Sequence, residues 1–267
     1  MPFYERGDVR IHYKEAGTGF PLLVIPAGGL NSTIEGLETH PFDPFKEFAS
    51  EFRVICADLR NAKGGQSTGP LEVERPWDAY TDDQLGLMDH LGIDSAVLGG
   101  MSQGGFLSLR AALTAPGRVE ALILLDTQSG VEAPETVEPY NQLHAAWVEH
   151  GAVAVQDIIA GIILGPGDWS EWFAKWGAMQ PDQFTAAFNC LMHRDDITGR
   201  LGEITCPALI VHGTADVAIP MEKAEVLRDR IAGPTTLVPV EGGPHATNMT
   251  HPAETNRAIL QFLAALA

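Results

Sequence analysis

Gly100-Met101-Ser102-Gln103-Gly104 has the spacing G-x-S-x-G. A serine hydroxyl is a poor nucleophile until a base takes its proton. The usual base is a histidine, and that histidine needs a carboxylate to fix its tautomer and stabilise its cation. When the serine stands on a strand–turn–helix, the chain order is Ser, acid, His. His245 lies in the loop Glu241-Gly242-Gly243-Pro244-His245, after the last apolar run of the chain. Two acids end apolar runs between Ser102 and His245. Asp216, after the run 208–211, is favoured because one helical stretch and one further run lead from it to His245. Asp126 ends the run 121–125 and also suits a cap for the turn that follows.

The elbow demands small neighbours. Ser102 follows the apolar run 95–99 and precedes an Ala- and Leu-rich helical stretch, 104–115. The turn projects the serine Oγ above a sheet, and any Cβ at Gly100 or Gly104 would collide there. The helix N-terminus adds partial positive charge where an oxyanion would form. Acyl chemistry also needs N–H donors for that oxyanion. One is the N–H of Gln103, the residue after the nucleophile. The turn Pro26-Ala27-Gly28-Gly29-Leu30-Asn31 supplies the other, from Gly28 or, as the alternative, from Gly29. Gly29 and Asn31 are candidate substrate contacts as well.

The remaining histidines suit this chemistry less well. His212 ends an apolar run beneath the acid loop, and His251 precedes Pro252 at a helix start. No histidine pair stands at a metal-ligand spacing with supporting carboxylates, so no metal is expected, and no organic cofactor is implied. Cys56, Cys190 and Cys206 form no CxxC pair, and an odd number does not make a disulfide framework. The 17 Lys+Arg against 35 Asp+Glu give a formal net charge of −18. Such a chain is a poor partner for nucleic acid or an anionic membrane, since both are polyanions. The N-terminal residues lack a basic segment followed by an apolar core, and no apolar run is long enough to span a bilayer. The expected setting is cytoplasmic, with a small-molecule substrate as the partner. Nothing fixes the oligomeric state.

The elements that must position these residues follow from the apolar pattern. Continuous apolar runs recur at 21–25, 52–57, 95–99, 121–125, 208–211 and 235–240. Runs of that length suit strands buried on both faces, hence a parallel sheet covered by helices. Helical spacing occurs at 81–91, 104–115, 221–231 and 251–266. Residues 3–15 alternate around Arg6-Gly7-Asp8 and read as an antiparallel hairpin. The fold class is therefore α/β, doubly wound and mostly parallel. Residues 131–198 break the alternation. Helices are expected there at 135–150, 152–164, 170–179 and 181–193, and four of the five tryptophans fall in this stretch. It reads as a helical cap inserted into a core made of residues 1–130 and 199–267. Trp147 and Trp172 are candidate substrate contacts; packing of the cap on the body explains such aromatics as well.

Together these pieces make the chain resemble the α/β-hydrolase fold enzymes. The resemblance rests on Gly100–Gly104, Ala57-Asp58-Leu59-Arg60, His212-Gly213-Thr214-Ala215-Asp216 and Pro244-His245, which stand in family order. It implies Ser102 as nucleophile, Asp216 as acid and His245 as base, with 131–198 as the cap. It implies a serine hydrolase of esterase or lactonase type for a small or medium, largely apolar substrate. Two features depart from the family: Pro26-Ala27 where relatives carry His-Gly, and a longer loop 61–67. Cleavage of a C–C bond and cofactor-free haloperoxidase or perhydrolase chemistry are rival reactions on the same residues. A small-molecule receptor on a catalytically vestigial scaffold is the alternative of another kind.

Overall fold

The computed structural model describes residues 2–28, 30, 32–38, 42–72 and 75–266. Eight strands form one sheet: β1 (Phe3–Arg6), β2 (Val9–Ala16), β3 (Phe20–Ile25), β4 (Phe52–Ala57), β5 (Ala96–Met101), β6 (Val119–Leu125), β7 (Ala208–Gly213) and β8 (Thr235–Val240). Their spatial order is β1-β2-β4-β3-β5-β6-β7-β8. The β1/β2 hairpin turns at Gly7, where φ is +60°, and pairs Arg6 with Val9. β2 joins β4 antiparallel, and every later neighbour is parallel.

The central parallel strands are largely apolar because both faces are covered, whereas the edge strand β8 is mostly half-buried or exposed. Along β3, Leu23 and Ile25 enter one core while Leu22 and Val24 enter the other. The first core packs the helices Trp77–His90, Gln103–Thr114 and Met221–Arg230 on one face. The second packs Ile34–Glu38, Pro44–Phe48 and Pro252–Leu266 on the other, and continues under the inserted helices. Burial of such alternating sets is the main driving force for this layering.

Between β6 and β7 the chain forms the helices Pro134–His150, Gln156–Ile163, Ser170–Gly177 and Pro181–Met192. The continuous helix expected at 152–164 is broken. Gly151 takes φ +79°, a 3-10 turn covers Ala152–Ala154, and the α-helix starts only at Gln156. The two segments that lead into and out of this insertion are tied to each other. Ile197 N–H donates to Ser129 O at 3.0 Å, and the hydroxyls of Ser129 and Thr198 lie 2.8 Å apart. Among the described residues no helix is long and apolar enough to cross a membrane.

Candidate active site

The site is built at the carboxyl ends of β5, β6, β7 and β8. Ser102 sits between β5 and the helix Gln103–Thr114 with φ +52° and ψ −115°, a strained conformation for a residue with a Cβ. Two hydrogen bonds hold it there. Its N–H donates to Leu125 O at 2.8 Å, and Thr127 Oγ1 donates to Ser102 O at 2.6 Å. The turn needs glycine at both flanks. A Cβ on Gly100 would lie 2.5 Å from Ile25 O, and one on Gly104 would lie 2.4 Å from the same oxygen. The N–H groups of the first helical turn have no acceptor within the helix, so that of Gln103 is available to an anion.

His245 follows β8 in its loop and is 6% exposed. Its Nδ1 lies 2.8 Å from Asp216 Oδ2. Because a carboxylate only accepts, Nδ1 carries the proton and Nε2 is left as the basic nitrogen. Asp216 is itself fixed, since Oδ1 accepts from the N–H groups of Ala218 and Ile219 at 2.9 and 2.8 Å. Burial alone pushes the His245 imidazole down, but the Asp216 charge and hydrogen bond, with Asp126 beyond, outweigh it. The net direction is up from 6.5. His212 donates from Nε2 to Ile219 O at 2.7 Å and is pushed down by burial, so it stays neutral.

Asp126 does not contact His245 as Asp216 does. It ends β6 at φ +45° and is fully buried. One oxygen accepts from Gly213 N–H at 3.0 Å. The other accepts from Thr247 N–H at 2.9 Å and Thr247 Oγ1 at 2.6 Å. It thereby joins the loop that carries the acid to the loop that carries the histidine. Burial pushes its carboxyl up to about 7. Ligand atoms of Asp126, His212 and Asp216 lie within 4.8 Å of one another. Their oxygens already accept from peptide N–H groups, a hydroxyl and the His245 ring, which is the pattern of a loop lock.

Two cavities meet at Ser102 and His245. The inner one runs between the sheet and the cap, with Val24, Phe48, Leu125, Trp172 and Trp176 among its walls. The outer one lies under the cap and carries Leu143, Ile159, Phe184 and Phe188, with Glu132 and Tyr140 as its polar groups beside Gln103. Gly28 lines both cavities and packs on Gln103 so closely that a Cβ would lie 1.8 Å from Gln103 Oε1. Gly29 and Asn31 lie outside the described residues.

Trp172, a candidate substrate contact, lines the inner cavity. Trp147 lines neither of these two cavities. It is 1% exposed and stacks on Phe184 at 4.2 Å, so it backs the outer wall at one remove. The sequence does not point to Glu132, Tyr140 or Met249. They belong to no motif, and only the course of the cap and of the histidine loop brings them here. Asp58, in the Ala57–Arg60 stretch, supports the fold nearby. It accepts from Ile34 N–H and Gln66 N–H, each at 2.8 Å, and pairs with His12 Nδ1 at 2.8 Å.

The fold that carries these residues is found in known proteins. A model described as the alpha/beta hydrolase fold matches residues 21–150. A thermophilic esterase from Thermogutta terrifontis superposes with a TM-score of 0.80 at 26% identity, over 97% of this chain and 94% of its own. The chain is thus similar to proteins of the α/β-hydrolase fold. A 2-hydroxymuconate semialdehyde hydrolase from Pseudomonas sp. strain CF600 is 28% identical over 96% of this chain and 91% of its own length. A putative carbamate hydrolase from Agrobacterium fabrum is 26% identical over 88% and 91%. The mixed sheet, the flanking helices and the cap of this chain match the α/β-hydrolase fold.

Proposed function

We propose that this protein cleaves a small or medium, largely apolar ester or lactone through an acyl-enzyme on Ser102. The observation that carries the proposal is the joint presence of Ser102 and the Asp216-held His245 on the walls of two apolar cavities. In this reading His245 Nε2 takes the Ser102 proton as Oγ attacks the carbonyl carbon. The N–H groups of Gln103 and Gly28 hold the oxyanion, where each donor acts in a dry, low-dielectric setting. The tetrahedral intermediate collapses, and the alcohol leaves with the proton from His245. Water, deprotonated by the same imidazole, then releases the acid and restores Ser102.

Pro26-Ala27 does not stand against this role for Gly28. The loop is registered by its packing against Gln103 rather than by a histidine side chain. The same residues would serve cleavage of a C–C bond in a β-diketone-like compound, or perhydrolysis. A panel of short-chain esters, lactones, a β-diketone and acetate with hydrogen peroxide decides among them. Turnover of the esters or lactones, with acyl transfer from Ser102, supports the proposal. Turnover of the diketone alone overturns it in favour of the C–C reading. No turnover and no labelling by a fluorophosphonate, with reversible binding of a small molecule, overturns it in favour of a receptor.

A further inference from the structure

Glu132 is an unusual wall for an apolar cavity. An ionised carboxylate in such a place is costly unless its oxygens find partners. Glu132 is 9% exposed. Gln128 Nε2 donates to Oε1 at 3.0 Å, and the buried Arg194 guanidinium stands 3.8 Å from the same oxygen. That guanidinium lies over the ring of Phe106, 5.0 Å from its centroid. Gln128 holds one oxygen and the Arg194 cation faces the same oxygen, while Glu132 lines the cavity that Ser102 and His245 share. Tyr140, on the same wall, has its hydroxyl pushed up to about 12 by burial and by the Glu132 charge, so it remains a neutral O–H. The remaining walls, Leu143, Ile159, Phe184 and Phe188, offer a polar substrate group nothing.

We propose that Glu132, held by Gln128 and faced by the Arg194 cation, is a recognition residue for a hydrogen-bond donor at the end of one arm of the substrate: a hydroxyl, an amide N–H or an ammonium. The inner cavity takes the other, apolar arm. An arm that ends in a carboxylate brings no donor to Glu132 and is disfavoured there. Tyr140 serves the same terminal group as a second, neutral hydrogen-bond partner. This inference rests on the hydrolase reading above and adds the chemistry of the substrate to it.

The test is a set of aliphatic esters of graded length whose variable arm ends in a methyl, hydroxyl, ammonium or carboxylate group. The variable arm is placed on the alcohol in one series and on the acyl chain in the other. Active enzyme is counted by fluorophosphonate labelling. In one of the two series, kcat/KM for hydroxyl and ammonium ends should exceed that for the carboxylate end about tenfold or more, as one hydrogen bond to a charged group allows. Glu132→Gln should shrink that ratio about tenfold, chiefly by raising the carboxylate ester, and Tyr140→Phe should shrink it less. Wild-type enzyme that turns over all four ends alike in both series overturns the inference, whether or not the variants fold. It leaves the hydrolase reading standing. Enzyme inert to every ester overturns both.

Discussion

Asp126 Oδ2 accepts hydrogen bonds from both the backbone N–H and the hydroxyl of Thr247, two residues beyond His245. Its other oxygen holds Gly213, three residues before Asp216. The carboxylate at the end of β6 is thus the tie between the two loops that carry the proposed acid and base. Asp126→Ala leaves three buried donors without an acceptor. It should destabilise the fold by about 2–4 kcal/mol, read by urea denaturation. The same variant should lose ester turnover even where it remains folded. Wild-type stability and turnover would contradict the tie.

The pH profile follows from the charges around His245. The base form is the neutral imidazole, and its pKa is held above 6.5 because Asp216 and Asp126 together outweigh the opposing effect of burial. As pH falls through that raised value the ring protonates, so kcat/KM should fall on the acid side with a midpoint above 6.5. Asp126→Asn removes one of the negative charges that favour the cation. The acid limb should therefore move to lower pH. A limb that stays in place would show that Asp126 acts on the loops alone.

Gly28 tests the oxyanion site. The Cβ of alanine would fall 1.8 Å from Gln103 Oε1 and 2.4 Å from Gln103 Cβ, so the loop or the glutamine must move. Loss of one oxyanion donor lowers kcat by about 10²–10³. Gly28→Ala should show a fall of that order per folded enzyme, with some loss of melting temperature from the clash with Gln103. A kcat near that of the wild type would remove Gly28 from the site.

Trp147 should behave as a core residue. It is 1% exposed and stacks on Phe184 with the planes 19° apart. Trp147→Ala should cost about 3–5 kcal/mol of stability, measured by denaturant unfolding. A change in KM without that loss would return Trp147 to the substrate.

Much of this architecture is legible in the residue order, because the central strands are buried on both faces. β4 occupies the full apolar run 52–57, and the edge strand β8 occupies the run 235–240 although only Val240 of it is buried. The elbow is legible for a different reason: only glycine fits at positions 100 and 104 against Ile25 O. What stays hidden depends on contacts distant in sequence. The choice between Asp126 and Asp216 turns on which carboxylate reaches the His245 ring, a matter of loop course rather than local pattern. Glu132 and Tyr140 reach the outer cavity only through the packing of the cap. The short helix Pro44–Phe48 is too brief to show a periodicity, and its one local signal is Asp43, whose carboxylate accepts from the N–H groups of Phe45 and Lys46.

The central claim is that Ser102, activated by His245, forms the covalent bond to substrate. The most direct measurement is the steady-state hydrolysis of a neutral short-chain ester by Ser102→Ala beside the wild type, with folding checked by thermal melting. The account predicts a fall in kcat of about 10³-fold or more, since members of such a triad act as one unit, with the melting temperature retained. Ester turnover by the alanine variant at the wild-type rate would contradict it.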